Sequence, residues 1–288
     1  MSVQLDVVMW PDSRWPDMRA EWQAAERLGL GCGWIYDHLF WQRTRPWHEA
    51  YATLAAVAAS TRRIGMGTMV TGPNFRHPVT TAKAALTLDE ISEHRFTLGL
   101  GAGGAAGDAN ALGGPPLSGK ERAARFEEFV TVTDRLLIGE RVTDSGAYFT
   151  AAADLDIGGG KPRRPRLAIA GTGPRGMALA ARFADLWITQ DISQNDAVYA
   201  GTAEKEIERQ VGLLDRACAD IGRAASSLPR LAVLGYGSEN PLASIEAYRD
   251  CVGRYGALGI SIIAVLWPRG DGADKAHSVL EQASHEPA

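Results

Sequence analysis

Features that would place this protein outside the cell, in a membrane or on nucleic acid are missing from the sequence. Its 288 residues include three cysteines, Cys32, Cys218 and Cys251, which lie far apart and form no Cys-x-x-Cys pair. We therefore expect reduced thiols in a cytoplasmic protein rather than a disulfide framework. No stretch reaches the roughly 20 apolar residues of a membrane span, and the N-terminus lacks the basic region of a secretion signal. The net charge of −4 argues against nucleic acid or an anionic membrane as a partner.

Histidine is scarce and is not spaced as in a metal site. The six histidines stand at positions 38, 48, 77, 94, 277 and 285, with no i, i+4 pair and no cysteine partner. Zinc sites usually show such pairs. We therefore expect no metal centre.

Short apolar runs alternate with helical patterns along almost the whole chain. The predicted strands are Leu5–Met9, Gly33–Tyr36, Ile64–Val70, Phe96–Leu100, Leu167–Ala170, Leu186–Thr189, Leu231–Leu234 and Ile260–Leu266. The predicted helices are Asp17–Leu28, His48–Thr61, Val79–Ser92, Gly119–Ile138, Pro174–Phe183, Ala203–Ile221, Leu242–Tyr255 and Asp274–Ala283.

Eight strand–helix units in a chain of this length predict an α/β fold, a (β/α)₈ TIM barrel formed by residues 1–288 as one domain. An open, doubly wound parallel sheet is the structural alternative. An insertion at residues 139–165 contains a predicted hairpin over Val142–Thr150 that turns at Ser145-Gly146. The polar and glycine-rich segments mostly follow strands, so we expect them on one face of the barrel, where such folds carry chemistry.

A glycine-rich turn follows the predicted strand Leu167–Ala170. Gly171, Gly173 and Gly176 let backbone N–H groups approach a phosphate, and the helix that follows adds positive partial charge at its N-terminus. Arg175 could add a fork of donors. The turn predicts a phosphorylated cofactor.

The same turn also fits a second kind of cofactor. Gly171-x-Gly173-x-x-Gly176, with Asp191 near the place of a ribose-binding acid, matches a dinucleotide fingerprint and suggests an NAD-dependent Rossmann enzyme. Such a fingerprint usually opens its domain, whereas about 165 residues of strand–helix pattern precede it here. Glycines that serve tight turns alone are a further alternative.

Two other strand ends carry candidate chemistry. Asp37 and His38 follow a strand, and a histidine beside a carboxylate can donate or relay a proton near neutral pH. Glycines also follow the strand Phe96–Leu100. The glycines inside the strand Ile64–Val70 indicate either packing space or a close approach to a ligand.

Together, these segments resemble the bacterial luciferase-like family of flavin- and deazaflavin-dependent oxidoreductases. The resemblance covers most of the chain in order and rests on residues 34–40 (WIYDHLF), 63–68 (RIGMGT), 76–78 (RHP), 94–103 (HRFTLGLGAG), 125–128 (RFEE), 142–149 (VTDSGAYF), 170–174 (AGTGP) and 184–188 (ADLWI). The segment after the second strand is similar to the branch that uses the deazaflavin coenzyme F420.

The resemblance implies a TIM barrel that holds F420 in its mouth and transfers a hydride to or from a small organic substrate. It implies that His38 moves a proton, that Asp37 orients His38 or binds the ring, and that Met69-Val70 is a non-prolyl cis peptide. The residues expected at the cofactor are Asp37, His38, Met69, Val70, Thr71, Gly101, Ala102, Gly103, Gly171, Thr172, Gly173, Arg175 and Gly176.

Two alternatives fit the same residues, an FMN-dependent monooxygenase of the same fold and a non-catalytic flavin-binding protein. Relatives imply a homodimer. Residues 101–114 and 139–165 are candidate lids, and Trp10, Trp41, Tyr236 and Trp267 are candidate pocket walls.

Two departures from the branch concern the substrate. Its sugar-phosphate dehydrogenases carry a glutamate at the position of Gly104 and a lysine near Ser193, and both are absent here. The departures argue against a sugar-phosphate substrate.

Overall fold

Eight parallel strands close into a barrel in the computed structural model, which describes residues 3–41, 44, 46–104, 107–155, 163–190, 203–236 and 239–286. The barrel strands are β1 (Gln4–Val8), β2 (Cys32–Ile35), β3 (Gly65–Thr68), β4 (Phe96–Leu100), β7 (Arg166–Ala170), β8 (Leu186–Gln190), β9 (Arg230–Leu234) and β10 (Ile262–Leu266). They are paired in the order β1-β10-β9-β8-β7-β4-β3-β2. The barrel confirms the predicted fold class, and the open sheet expected of a Rossmann enzyme is wrong.

Helices connect the strands and cover the outside of the barrel, as parallel pairing requires. They are α1 (Trp15–Arg27), α2 (Ala50–Ser60), α3 (Pro78–Ile91), α4 (Gly107–Ala111), α5 (Gly119–Leu137), α6 (Pro174–Phe183), α7 (Ala203–Asp220), α8 (Ile245–Ala257) and α9 (Ala273–Ser284). The short helix α4 was not predicted, because five residues of glycine, alanine and polar side chains carry no helical periodicity.

Local sequence explains where several helices begin. Ser118 caps α5 in a reciprocal box with Glu121. Ser244 accepts a hydrogen bond from the backbone of Ala247, so α8 begins later than the predicted start at Leu242.

The strands bury side chains on both faces. An inner cluster of Val8, Trp34, Ile188, Val233 and their neighbours fills the barrel, while a larger outer cluster packs the strands against the helices. A Cβ at Gly67 would stand 2.5 Å from the ring of Trp34. Packing space therefore explains the glycine at this position of β3.

A carboxyl group lies inside the barrel at Asp6. It is fully buried and accepts hydrogen bonds from Gln4 Nε2 at 2.7 Å and Trp34 Nε1 at 2.9 Å. Burial raises the pKa of Asp6 to about 6, although these donors oppose the rise.

The insertion forms a hairpin of β5 (Val142–Ser145) and β6 (Thr150–Ala153). Its reversal occupies residues 146–149, and its second strand extends beyond the predicted end at Thr150. The hairpin packs on α5, because the Glu128 carboxylate accepts the backbone N–H of Phe149 at 2.7 Å and the Phe149 ring contacts Phe129. None of its described residues lines the main cavity, so the structure gives no support to a lid here.

The three cysteines are unpaired and buried, as expected of reduced thiols. Burial raises the pKa of each thiol, that of Cys251 to about 12. Within the described parts of the chain, none of the helices has both the length and the apolar character needed to cross a bilayer.

Candidate active site

A cavity of about 980 Å³ opens at the carboxyl ends of the barrel strands. Segments that follow β2, β3, β4, β7 and β9 converge on it together with the last residues of β8, at the end of the barrel where such folds carry their chemistry. We call the part around Tyr36, Asp37, His38, Trp41 and Asp108 the reaction end. The part around Lys120, Arg122, Gly171, Gly173 and Arg175 is the tail end.

His38 is held by a carboxylate that the sequence did not indicate. Its Nδ1 lies 2.6 Å from Asp108 Oδ2, and the other oxygen of Asp108 accepts the backbone N–H of Leu39 at 3.0 Å. Asp108 lies in the short helix α4, which follows β4 in the chain. The hydrogen-bond partner of His38 is thus Asp108 and not the expected Asp37, while the alternative that Asp37 binds the ring stays a prediction.

The Asp108 contact also fixes what His38 can do. A carboxylate at Nδ1 favours a proton on that nitrogen, which leaves Nε2 to accept or donate a proton. The ring of Trp41 lies 4.7 Å from the His38 ring between centroids, and Trp47 donates to the His38 carbonyl at 3.1 Å. The imidazole is thus fixed in place while a quarter of its side chain stays exposed.

Asp37 belongs to a different network at the same end. Arg76 donates to both of its oxygens, from Nη2 at 2.5 Å and from Nε at 3.0 Å, and the Thr71 hydroxyl donates at 2.8 Å. Burial raises the pKa of the Asp37 carboxyl, while Arg76 and Thr71 oppose the rise. Arg76 also reaches Glu49 at 2.5 Å, so its charge is shared between two carboxylates.

Thr71 has a different place from the one predicted. It is fully buried and does not line the cavity. Because its hydroxyl donates to Asp37, it accepts a hydrogen bond from the Tyr51 hydroxyl at 2.9 Å. Thr71 therefore supports Asp37 by a hydrogen bond and does not face the cavity.

Aromatic side chains wall the reaction end. Tyr36, Trp41 and Tyr236 line the cavity, and the hydroxyls of Tyr36 and Tyr236 hydrogen-bond each other. Trp10 donates to the Tyr236 hydroxyl at 3.2 Å. Trp10 and Trp267 line a separate pocket of about 390 Å³ beside this wall.

The segment after β3 contains the cis peptide that the resemblance implied, between Met69 and Val70. Both residues line the cavity. A Cβ at Gly101 would stand 2.3 Å from Val70 Cγ2, and one at Gly99 would stand 1.9 Å from the Thr68 carbonyl oxygen. Glycines in and after β4 therefore make room for this segment.

The tail end is formed by the turn between β7 and α6. A Cβ on Gly171 would stand 2.9 Å from the backbone of Gly176, and the reverse substitution gives the same distance to Gly171. These two glycines thus allow the strand end and the first helical turn to touch. Gly173 is the N-cap of α6, has no side chain to cap the helix, and has open space where a Cβ would be. The open N-terminus suits an anion.

All of the residues predicted at the cofactor except Thr71 line this one cavity. Their contacts with a cofactor stay predictions. Asp191 and Ser193, which entered the sequence argument, lie outside the residues that the structure describes.

Sequence reasoning missed Asp108, Arg76 and the Tyr36–Tyr236 pair. Asp108 stands 70 positions from His38, and no local pattern links them. Arg76 belongs to the segment 76–78 (RHP) that carried the resemblance, but nothing in the sequence assigned it a role beside Asp37.

A closed (β/α)₈ barrel that brings an oriented histidine and an open helix N-terminus to one large cavity has the architecture of a TIM-barrel enzyme. The chain belongs to the luciferase-like monooxygenase family, whose model matches residues 6–229.

Two curated relatives are named for the same cofactor. The chain is 34% identical over 213 residues to the F420-dependent glucose-6-phosphate dehydrogenase of Beutenbergia cavernae, a match that covers 71% of this chain and 61% of the relative. It is 35% identical over 185 residues to the F420-dependent hydroxymycolic acid dehydrogenase of Mycobacterium tuberculosis, a match that covers 61% of this chain and 49% of the relative. The chain therefore spans about half to six-tenths of the length of these relatives.

Among solved structures, the fold is similar to that of an F420-dependent secondary alcohol dehydrogenase in complex with an F420-acetone adduct. The TM-score is 0.82 over 98% of both chains, at 18% sequence identity.

Proposed function

We propose that this protein is an oxidoreductase that uses coenzyme F420 to transfer a hydride to or from a small organic substrate. The observation that carries the proposal is the sharing of one cavity by an oriented His38 and an open, cationic glycine turn. Membership of the luciferase-like family and the printed names of the relatives support the choice of cofactor.

The residues present fit such a group. The cavity volume of about 980 Å³ lies at the upper end of the range for cofactor sites. Gly171 and Gly176 would let the backbone approach a phosphate, and Arg175 would add positive charge. Met69, Val70 and Gly101–Gly103 would hold the flat ring system, since they line the cavity and follow β3 and β4, the two strands that stand between β2 and β7 in the barrel.

When bound, F420 supplies a carbon that gives or takes a hydride. The chain itself supplies orientation and proton exchange. His38 Nε2 takes the proton from a substrate hydroxyl during oxidation, or returns it to a carbonyl oxygen during reduction. Asp108 holds the ring in place through its contact with Nδ1, so it is a positioning residue.

A titration that compares F420, FMN and NAD tests the cofactor. We expect F420 to bind and to change its fluorescence, with FMN and NAD binding much more weakly. Yellow protein that releases FMN on heating would instead favour the FMN monooxygenase, and tight nicotinamide binding would overturn the proposal.

The substrate follows from the reaction end. We propose an alcohol or carbonyl compound without a phosphate, because Gly104 supplies no side chain and the wall of Tyr36, Trp41 and Tyr236 is aromatic. Glucose 6-phosphate should not be turned over by the F420-loaded protein. Rapid turnover of this sugar would contradict this part of the proposal.

We propose that the protein works as a homodimer in the cytoplasm. Light scattering on purified protein tests the assembly, and a monomeric mass would contradict it.

A further inference from the structure

The tail end of the cavity holds positive charge that the described residues do not balance. Lys120 and Arg122 lie in the first turn of α5, and Arg175 lies in the first turn of α6; all three line the cavity. Arg175 donates to the backbone carbonyl of Lys120 at 3.4 Å, and Arg122 donates to that of Leu117 at 3.0 Å. No carboxylate of the described chain forms a salt bridge with any of the three.

Other arginines of this protein do form salt bridges with carboxylates. Arg254 contacts the carboxylates of Glu204, Glu239 and Asp250, and Arg76 contacts two more. The whole chain carries a net charge of −4. A group of unpaired cations on a cavity wall is therefore a local feature, and it creates a positive potential at that wall.

A fourth cation, Arg125, lies on α5 close to Arg122. Arg125 donates to Asn74 Oδ1 at 2.6 Å, while its buried Nε has no hydrogen-bond partner in the described structure. Burial lowers the pKa of Arg125, and the neighbouring charge of Arg122 lowers it further. An anion at this end would relieve the repulsion between these like charges.

The number of cations exceeds what one phosphate diester requires. The backbone N–H groups of the glycine turn and Arg175 would meet that single charge. Lys120 and Arg122 stand on a different helix and line the same cavity, and the side chain of Lys120 is exposed. In F420 the phosphodiester continues into a chain of glutamates, and each glutamate adds a carboxylate.

We propose that Lys120 and Arg122 form a subsite for the carboxylates that follow the phosphate in the oligoglutamate chain of F420. This inference rests on the proposed function. Salt bridges of exposed cations are weak individually, so two such contacts should make a form with several glutamates about 2- to 10-fold tighter than a form with none. The gain should disappear as salt rises from about 0.05 to 0.5 M.

Cofactor fluorescence and calorimetric titrations of the full chain test the subsite. The probes are F420 lacking glutamate and F420 carrying several. The proteins are the wild type, the double variant Lys120→Gln and Arg122→Gln, and the control Arg141→Gln, which removes an exposed charge that does not line the cavity. Thermal unfolding confirms that each variant folds.

We expect the wild type and the control to prefer the longer form at low salt, and the double variant to bind both forms with the affinity that the wild type shows for the shorter one. Equal affinity of the wild type for both forms would overturn the subsite while leaving the proposed function intact. An equal loss for both forms in the double variant would also overturn it, since the cations would then bind the phosphate. If neither form bound the wild type, the proposed function would fail together with this inference.

Discussion

The two ends of the main cavity treat charge in opposite ways. At the reaction end, Asp37 is held by Arg76 and Thr71, and the carboxylate of Asp108 is held by His38. At the tail end, Lys120, Arg122 and Arg175 have no carboxylate partner among the described residues. The difference teaches that the reaction end is organised before a ligand arrives, while the tail end would gain its charge balance from the anion that we propose.

The largest expected effect tests the reaction end directly. His38→Ala should lower kcat about 100- to 10,000-fold, because proton exchange by a positioned group contributes that much. Affinity for F420 should stay close to that of the wild type, since the tail end is untouched. Steady-state kinetics and cofactor titration check both values, with His285→Ala at an exposed position as the control. Unchanged turnover would remove His38 from the mechanism.

Asp6, a buried carboxyl group inside the barrel that no arginine of the described chain contacts, provides a second test through the pH dependence of stability. The pKa of Asp6 is raised from 3.8 to about 6, a difference of about two, which corresponds to about 3 kcal/mol at most. The folded state binds this proton more tightly than the unfolded chain. The stabilisation is therefore complete below about pH 4 and is lost as the pH rises through about 6.

Urea unfolding of the wild type and of Asp6→Asn between these pH values measures the effect. The variant lacks the titrating group, so the wild type should lose stability relative to the variant as the pH rises. A constant difference across the range would show that Asp6 does not carry this pH dependence.

The positioning role of Asp108 should give the next smaller effect. Asp108→Asn removes the negative charge from the hydrogen bond to His38; a hydrogen bond to a charged group is worth about 1.5–3 kcal/mol, which predicts a kcat about 10- to 100-fold lower. KM and cofactor affinity should change little, and Asp108→Glu should recover part of kcat. A rise in KM with normal kcat would assign Asp108 to substrate binding instead.

The smallest effect concerns the backbone of the tail end. Gly171→Ala would place a Cβ 2.9 Å from the backbone of Gly176, and the resulting shift should weaken F420 binding by about 10-fold, since overpacking costs about 1–3 kcal/mol. Gly253→Ala is the matched control, because Gly253 lies in α8 with nothing within 4 Å of its added Cβ. Equal affinities for the two variants would show that the touching glycines do not shape the site.

The sequence predicted the parts of this molecule that local patterns determine. Alternating apolar strands and helices predict a closed parallel barrel, because buried parallel strands and their crossover helices have distinct periodicities. The turn at Gly171 was recognisable because glycines between a strand and a helix let backbone N–H groups approach an anion. The cis peptide at Met69-Val70 followed from the resemblance alone.

Contacts between distant segments could not be predicted. Asp37 stands next to His38 in sequence, yet successive residues at a strand end point in different directions, and Asp37 turns to Arg76. The partner of His38 comes from α4, a helix too short to leave a pattern. Thr71 follows the cis peptide directly but lies behind the cavity wall, supporting Asp37 instead of facing a ligand.

The burial of all three cysteines has a practical consequence. Each thiol is shielded and has a raised pKa, so a maleimide probe should react slowly with the native chain and readily with the unfolded one. A single cysteine introduced at Leu39, which is 41% exposed beside His38, would then be the preferred point for attaching a dye. Because the native cysteines should stay unlabelled, the fluorescence of a dye at this position would report ligand binding in the cavity.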